Sequence, residues 1–282
     1  VLLVSFVLTE RSKMQVPFYK NGLFCDSRVV TELEETFSKY TGFKYGVAVD
    51  SCTNAIGLCL EYEKPSVVGI PAMTYVSVAN EIIRRKCQLE LKDIYEVGQA
   101  YQLAGTNIWD SAHEVSLFCS KTPDTKRCYS FYPTKLVPSY EGGMICTDDL
   151  DFVKWARTAR QMGRTGYGAD YDVVYPGMKC NITPMQAITA LQSFSVLEKI
   201  KDKHRAISSI YAMEGYPNFV KSDHLHVIRV DDNKKCREWM KEHQVECSWH
   251  FQPIYDKTFY KDKFKPADYP ETEKLKGQIL SL

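Results

Sequence analysis

The chain has 282 residues, 44% of them hydrophobic and 25% charged, with a formal net charge of +1. That length suits a large domain with a smaller one, and a charge so near zero gives no electrostatic reason to expect nucleic acid or an anionic membrane as partner. Ten cysteines occur without a C-x-x-C pair; in a chain too large to need covalent staples they read as reduced, mostly buried thiols of a cytoplasmic protein, with no metal site expected.

The opening VLLVSFVLTERSK is apolar for only eight residues. It has no charged leader or small-residue cleavage site and is too short to span a bilayer. Residues 1–13 are expected to be a non-native or irregular extension, with Met14 opening the natural sequence. Val29 to Tyr40 has helical spacing of apolar residues and stops at Thr41-Gly42. Tyr45 to Val49 reads as a buried strand, and Ala55 to Glu61 as a helix. The small polar turn between them, Asp50 to Asn54, would aim free backbone N–H groups at an anion. A plain helix cap by Ser51 or Thr53 explains the same residues and is compatible with it. Ser66 to Ile70 and Gln88 to Leu91 are further strands, separated by the loop Pro71–Tyr75 and a helix from Val76 to Arg85. Asp93 to Gly105 has no clear pattern. Asn107 to Trp109 is a strand ending at Asp110, and Tyr129 to Phe131 another, followed by a loop that carries Lys135 and ends in Gly142-Gly143. Met144 to Cys146 is a third apolar run.

Asp151 to Met162 is a helix closed by Gly163, Arg164 to Gly177 a Gly/Tyr-rich loop, and Thr183 to Ile200 a helix capped by Thr183 with Pro184 at its first position. Beyond a junction near Tyr211, His226–Val230 and Cys247–Phe251 read as strands and Cys236–Gln244 as a helix. The alternation in HLHVIRV places His224 and His226 together on the polar face of a strand rather than on a metal. The expected organisation is a large domain over 14–210 and a small α+β domain over 211–282. Alternating strands and helices imply a three-layer α/β architecture with a mostly parallel sheet. Ligands of such sheets sit at the carboxyl ends of the strands. Ser51–Asn54, Thr74–Tyr75, Asp110–His113 and Ser130–Lys135 all fall at strand ends.

Five segments, in order, carry a resemblance: AVDSCTNAIGL, IPAMTYVSVANEI, IWDSAHEV, YSFYPTK followed by EGG, and MKCNITPMQAITALQSFSVLEK. Together they resemble the DegT/DnrJ/EryC1/StrS family of pyridoxal-phosphate (PLP) aminotransferases acting on nucleotide-linked keto sugars, over most of the chain from about Pro17. The resemblance implies PLP fold type I and a homodimer with a shared active site in the cytoplasm, serving polysaccharide biosynthesis. Lys135 would hold PLP as a Schiff base and then move the substrate proton. Asp110 would pair with the pyridinium nitrogen. At ~4 Å and an effective dielectric near 20 such a pair is worth roughly 4 kcal/mol, about three pKa units. Tyr75 would stack on the ring, though an ordinary core aromatic fits it too. Ser130, Cys52 and Thr53 would bind the phosphate, and Asn181 would reach the cofactor of the partner subunit. The rival reading of Cys52 as a nucleophile lacks an identifiable paired histidine. His113 would lie near the cofactor's ring oxygen or pack beside the ring, or be a core histidine. His250 would line the sugar site or be a simple strand residue. Arg157, Arg160 and Arg164 lie near the loop where a diphosphate would bind, or form a solvated helix face. The amino donor implied is glutamate.

Two departures accompany the resemblance. Only 16 residues separate Asp93 from Asp110, where the family fits another strand and helix, so either the sheet closes up or the copy is damaged. GQILSL resembles the start of the family's final strand, and the C-terminal helix of the small domain is expected to be missing. The alternative is a degenerate relative that binds PLP or a sugar nucleotide without catalysis; intact Lys135 and Asp110 speak against it. Lys135 also speaks against a sugar-dehydrating relative, in which histidine replaces the lysine.

Overall fold

The computed structural model of the protein describes residues 27–167 and 170–282; the expectations for residues 1–13 and for Met14 lie outside them. Helix α1 (Arg28–Thr41) opens at Ser27, whose hydroxyl accepts from the Val30 amide, and closes at Gly42, in the left-handed conformation at φ 85°. That geometry favours glycine, and the Gly42 N–H satisfies two of the helix's last carbonyls. Strand β1 (Tyr45–Val49), helix α2 (Cys52–Glu63), strand β2 (Val67–Pro71), helix α3 (Val76–Arg84) and strand β3 (Gln88–Lys92) follow in strict alternation. Then come β4 (Tyr101–Gln102), β5 (Ile108–Asp110), β6 (Lys126–Ser130), β7 (Gly143–Thr147) and helix α4 (Leu150–Ala159).

Side-chain alternation along the strands builds two cores, one on each face of the sheet. Val47, Val49, Cys128 and Ile145 point to the face covered by α2, α3 and α4. Ala48, Tyr129, Met144 and Cys146 point to the other, where α1 packs with helix α5 (Pro184–Phe194). This is the expected three-layer α/β arrangement.

The sheet is mixed. One run has the order β1-β7-β6-β5-β4, and β2 and β3 form a second, parallel pair. The two runs are joined by Gly69 and Ala104, whose backbones exchange hydrogen bonds of 3.0 and 2.8 Å. Ala104 continues β4, so the segment with no clear pattern fills the gap between β2 and β5. It does so antiparallel to both neighbours. A parallel strand would need a crossover of a dozen or more residues, which the shortened connection cannot supply. The chain instead enters the gap, turns at Gly105 and leaves directly as β5. Gly105 sits at φ +85°, and a methyl there would lie 2.9 Å from the Val67 carbonyl oxygen, so the turn requires glycine. The sheet therefore closes up, and no buried strand edge is left unpaired at this point.

Elsewhere three expectations change. Arg164–Gly177 is not a plain loop but holds a hairpin of β8 (Arg164–Tyr167) and β9 (Asp170–Val173). The helix expected over Thr183–Ile200 is two helices, α5 and α6 (Leu197–Met213), parted at Ser195-Val196; the Thr183 cap is present as a full capping box with Gln186. Cys247–Phe251 is not a strand: only Ser248 makes a β-bridge, to Ser281. Strand β10 (Val227–Arg229) pairs with β11 (Ile279–Ser281) beside helices α7 (Asn233–Glu242) and α8 (Pro270–Lys276). Asn233 fastens them with side-chain bonds of 2.9 Å to the carbonyls of Lys276 and Ile279.

Neither Arg157 nor Arg160 lines the cavity at the strand ends: Arg157 keeps an exposed side chain, as a solvated helix face would have it, whereas Arg160 is buried. Both turn to Glu34 of α1, at 2.7 and 2.5 Å, and Arg160 and Glu34 are buried. The other oxygen contact of Glu34 is the Ala48 amide of β1, at 2.9 Å. Removing one partner of a buried ion pair costs about 3–5 kcal/mol. Glu34→Ala is therefore expected to lose about 3 kcal/mol or more of stability, read as a lower midpoint in urea unfolding; a loss within about 0.5 kcal/mol would show that the pair holds nothing together.

Candidate active site

The four polar clusters at strand ends converge on one cavity of about 380 Å³, which holds Cys52, Tyr75, Asp110, His113, Ser130 and Lys135 in its lining. Thr53 and His250 line it as well, and Asn181 does not. Asn181 bridges to Val49 at the end of β1, and its side chain donates to the Ile182 carbonyl at 3.4 Å.

The floor is made by the first turn of α2. Ser51 caps the helix, its hydroxyl accepting from the Asn54 amide at 3.2 Å. The amides of Cys52 and Thr53 are first-turn donors that the helix itself cannot satisfy. Gly143 of β7 presses against this turn: a methyl on it would lie 2.6 Å from the Ser51 carbonyl carbon and 2.7 Å from the Cys52 nitrogen. The backbone is thus held in a cup, and burial and Asp110 push the Cys52 thiol well above its ordinary pKa. A thiol so held is no nucleophile at neutral pH.

Asp110, at the end of β5, is buried and lines the cavity. Its Oδ1 accepts from the Ala112 amide at 2.9 Å and its Oδ2 from the Tyr101 hydroxyl at 3.0 Å. Burial raises its pKa, against the lowering effect of these two donors and of Lys135. Lys135 stands in the loop after β6, half-buried, with its backbone N–H on the Tyr132 carbonyl at 2.9 Å. Burial lowers its pKa while Asp110 and Cys52 raise it. The neutral amine is correspondingly easier to reach, as a nucleophile needs.

The upper wall is aromatic. His113 stacks on Phe251 with centroids 5.8 Å apart, and its Nδ1 accepts from the Gly98 amide at 3.3 Å. Tyr75 is 57% exposed and tilts toward Phe251 at 5.9 Å, so it is a wall residue with a free face and not a core aromatic. His250 is tied through Nδ1 to the Ser281 hydroxyl at 2.9 Å. His224 and His226 do not share a polar strand face. His226 is buried between Ser208 and the Tyr216 carbonyl, and the His224 ring lies 5.2 Å from that of His113. Both precede β10, in a bent approach whose side chains do not alternate strictly.

Sequence reasoning missed the contribution of the shortened connection. Glu96, Gln99 and Tyr101 all reach the cavity, and Gln99 hydrogen-bonds Glu96. A signal was present: Ala104-Gly105-Thr106-Asn107 is turn-like, and a hairpin about it sets Tyr101 opposite Asp110. The arrangement fits PLP on its donor set. A backbone cup of unsatisfied N–H groups suits a phosphate, a buried carboxylate suits a ring nitrogen, and a half-buried amine of lowered pKa suits an aldehyde.

Burial holds His224 down to about 3 and His250 to about 4. Unfolded, each would titrate near 6.5. Below that pH the unfolded chain takes up protons that the folded chain refuses. Stability must therefore fall as the pH drops from about 6.5, and His224 goes on contributing until about 3. At pH 5 one such histidine accounts for about 2 kcal/mol at most. His224→Phe, which keeps a ring and loses the titration, is expected to lose less stability than the native chain between pH 7 and 5 in urea unfolding; equal losses would mean that His224 charges freely in the folded protein.

The family model of the DegT/DnrJ/EryC1/StrS aminotransferase family matches residues 9–100 and 121–282. The unmatched stretch between them contains β4, β5 and Asp110–His113. Among solved structures, the fold is similar to a Streptococcus pneumoniae protein assigned as a sugar aminotransferase, in its PLP form, at TM-score 0.79 and 18% identity, covering 98% of this chain and 90% of that one. It is similar to DesV of S. venezuelae in a ketimine complex, at TM-score 0.78 and 17% identity, with 97% and 86% covered. Helicobacter pylori PseC, an aminotransferase involved in pseudoaminic acid biosynthesis, matches at TM-score 0.79 and 17% identity, with 92% and 86% covered. With the family matched on both sides of residues 101–120, the chain belongs to the DegT/DnrJ/EryC1/StrS aminotransferase family and is an enzyme of that PLP-dependent class.

Proposed function

We propose that the protein transfers an amino group, with glutamate as donor, to a keto sugar linked to a nucleotide, using PLP held at Lys135. The observation that carries this is the placement of Lys135, Asp110 and the α2 backbone cup around one cavity. When bound, PLP supplies an aldehyde that accepts an amino group and a ring that takes up the electron pair released when the substrate carbon loses its proton.

The residues of the chain do the rest. The Lys135 amine holds the cofactor and, once displaced from it, carries a proton to and from the substrate carbon. Asp110 holds a proton on the ring nitrogen. The Cys52 and Thr53 amides and the Ser130 hydroxyl bind the phosphate, with the α2 dipole adding to the attraction. Tyr75 covers one ring face, and His113 packs beside it on Phe251. His250, neutral above about pH 4, donates or accepts a hydrogen bond at the sugar without adding charge. Asn181, turned away from its own cavity, supports a homodimer in which it serves the partner's site. Sugar aminotransferases among the structural neighbours support the substrate class. Among the described residues no helix is long and apolar enough to cross a membrane. The reading includes residence in the cytoplasm, supported by buried thiols: six of the nine described cysteines are buried and all nine are free.

The test is an absorbance spectrum of the protein with added PLP, before and after borohydride, beside Lys135→Ala. A near-visible band trapped by reduction and absent from the variant is expected, and glutamate should bleach it. No Lys135-dependent band in a folded protein would overturn the site; a band that glutamate leaves unchanged would overturn the donor.

A further inference from the structure

Tyr101 comes from the short connection between β3 and β5. In the β4–β5 pair it lies directly opposite Asp110. Directly opposed residues of an antiparallel pair project from the same face with adjacent side chains, so the register alone brings the phenol to the carboxylate. The contact is made: Tyr101 Oη donates to Asp110 Oδ2 at 3.0 Å, and Thr74 Oγ1 lies 2.8 Å from Tyr101 Oη. All three residues are buried, and Tyr101 and Asp110 line the cavity. With the Tyr101 proton directed at Asp110, the Thr74 hydroxyl is the donor to Tyr101, and a relay of two hydrogen bonds ends on the carboxylate. A buried phenol with a carboxylate acceptor stays protonated: burial and Asp110 push Tyr101 well above its ordinary range.

We propose that Tyr101 is a positioning residue for the amino transfer, its hydroxyl holding Asp110 oriented and charged against the ring nitrogen of PLP. The inference rests on the reading of Asp110 and Lys135 given above. Asp110 needs such help, because burial works against its charged form. Its Oδ1 is fixed by the Ala112 amide, and Tyr101 fixes the other oxygen. A carboxylate that receives two donors is a weaker base, so a proton shared with a ring nitrogen stays on the nitrogen. The other titratable groups acting on Asp110 are Lys135 from the loop after β6, Cys52 at the start of α2, and Cys128 within β6. Only Lys135 among them opposes its protonation, and it acts through its charge alone, whereas Tyr101 donates directly to the carboxylate.

The test is a pH titration of the visible absorbance of the PLP-loaded protein. A proton on the ring nitrogen withdraws electrons from the bond to Lys135 and lowers the pH at which that nitrogen loses its own proton. Tyr101→Phe, which keeps the ring and removes the donor, is expected to raise the midpoint by about half a pH unit or more. Asp110→Asn should raise it further, and adding Tyr101→Phe to Asp110→Asn should change nothing more. An unchanged midpoint in Tyr101→Phe, or equal shifts with and without Asp110, would overturn the inference while leaving the Lys135 site standing. Absence of a Lys135-dependent band in the native protein would overturn both, and is distinguished by appearing before any substitution at Tyr101. Should Tyr101→Phe not fold, Thr74→Val cuts the relay one step earlier and is read the same way, with a smaller upward shift expected.

Discussion

Two backbone hydrogen bonds between Gly69 and Ala104 join the two halves of the sheet. Everything at the cavity depends on that join. β2 and β3 deliver the Thr74–Tyr75 wall from one side, β5 and β6 deliver Asp110 and Ser130 from the other, and Gly143 of β7 backs the α2 turn. A sheet open at this point would leave unpaired donors and acceptors in the interior and let the two walls drift apart. The close approach has its own requirement at Gly69. A methyl there would lie 2.6 Å from the Lys92 side chain and 3.1 Å from the Ala104 methyl, so the strands meet because nothing projects between them.

The direction of the inserted strand follows from chain length alone. With too few residues to form a helical crossover, the connection can fill the gap only as the first arm of a hairpin. Reversal of that strand changes what lines the cavity. A parallel strand would present the residues at its carboxyl end to the ligand edge. Here the amino end of the inserted strand lies at that edge, and Glu96, Gln99 and Tyr101 come with it. The antiparallel direction of this strand thus decides which side chains line the cavity here.

Most of the framework was legible in the sequence because local signals and burial agree there. Tyr45–Val49 is apolar throughout and flanked by turn residues; Thr183 and Pro184 spell a capped helix start that the structure reproduces, with Gln186 completing a capping box. What was not legible depends on contacts between distant residues. Arg160 looks like part of a basic helix face until Glu34, more than a hundred positions away, is brought beside it. His224 and His226 look like one face of a strand, but the strand begins only at Val227. The approach of Cys247–Phe251 to the cavity is set by Ser281 and not by its own alternation. Of the candidate site, the residues at strand ends could be read from the pattern, whereas the partner of Asp110 required a register that no propensity specifies.

Helix α2 is both the floor of the cavity and the centre of one core. Its twelve residues make a rod about 18 Å long, with Ala55, Ile56, Leu58, Cys59 and Leu60 almost wholly enclosed. Cys59 and Cys128 stand with their sulfurs 3.7 Å apart, and the Arg85 Nε grips the Gly57 carbonyl at 3.0 Å. A close-packed interior resists deformation and passes a displacement on to its neighbours. The rod therefore has little freedom to slide, and the amides at its tip inherit their position from side chains deep in the fold. Ligand recognition at this end is calibrated by the volumes of residues that no ligand touches.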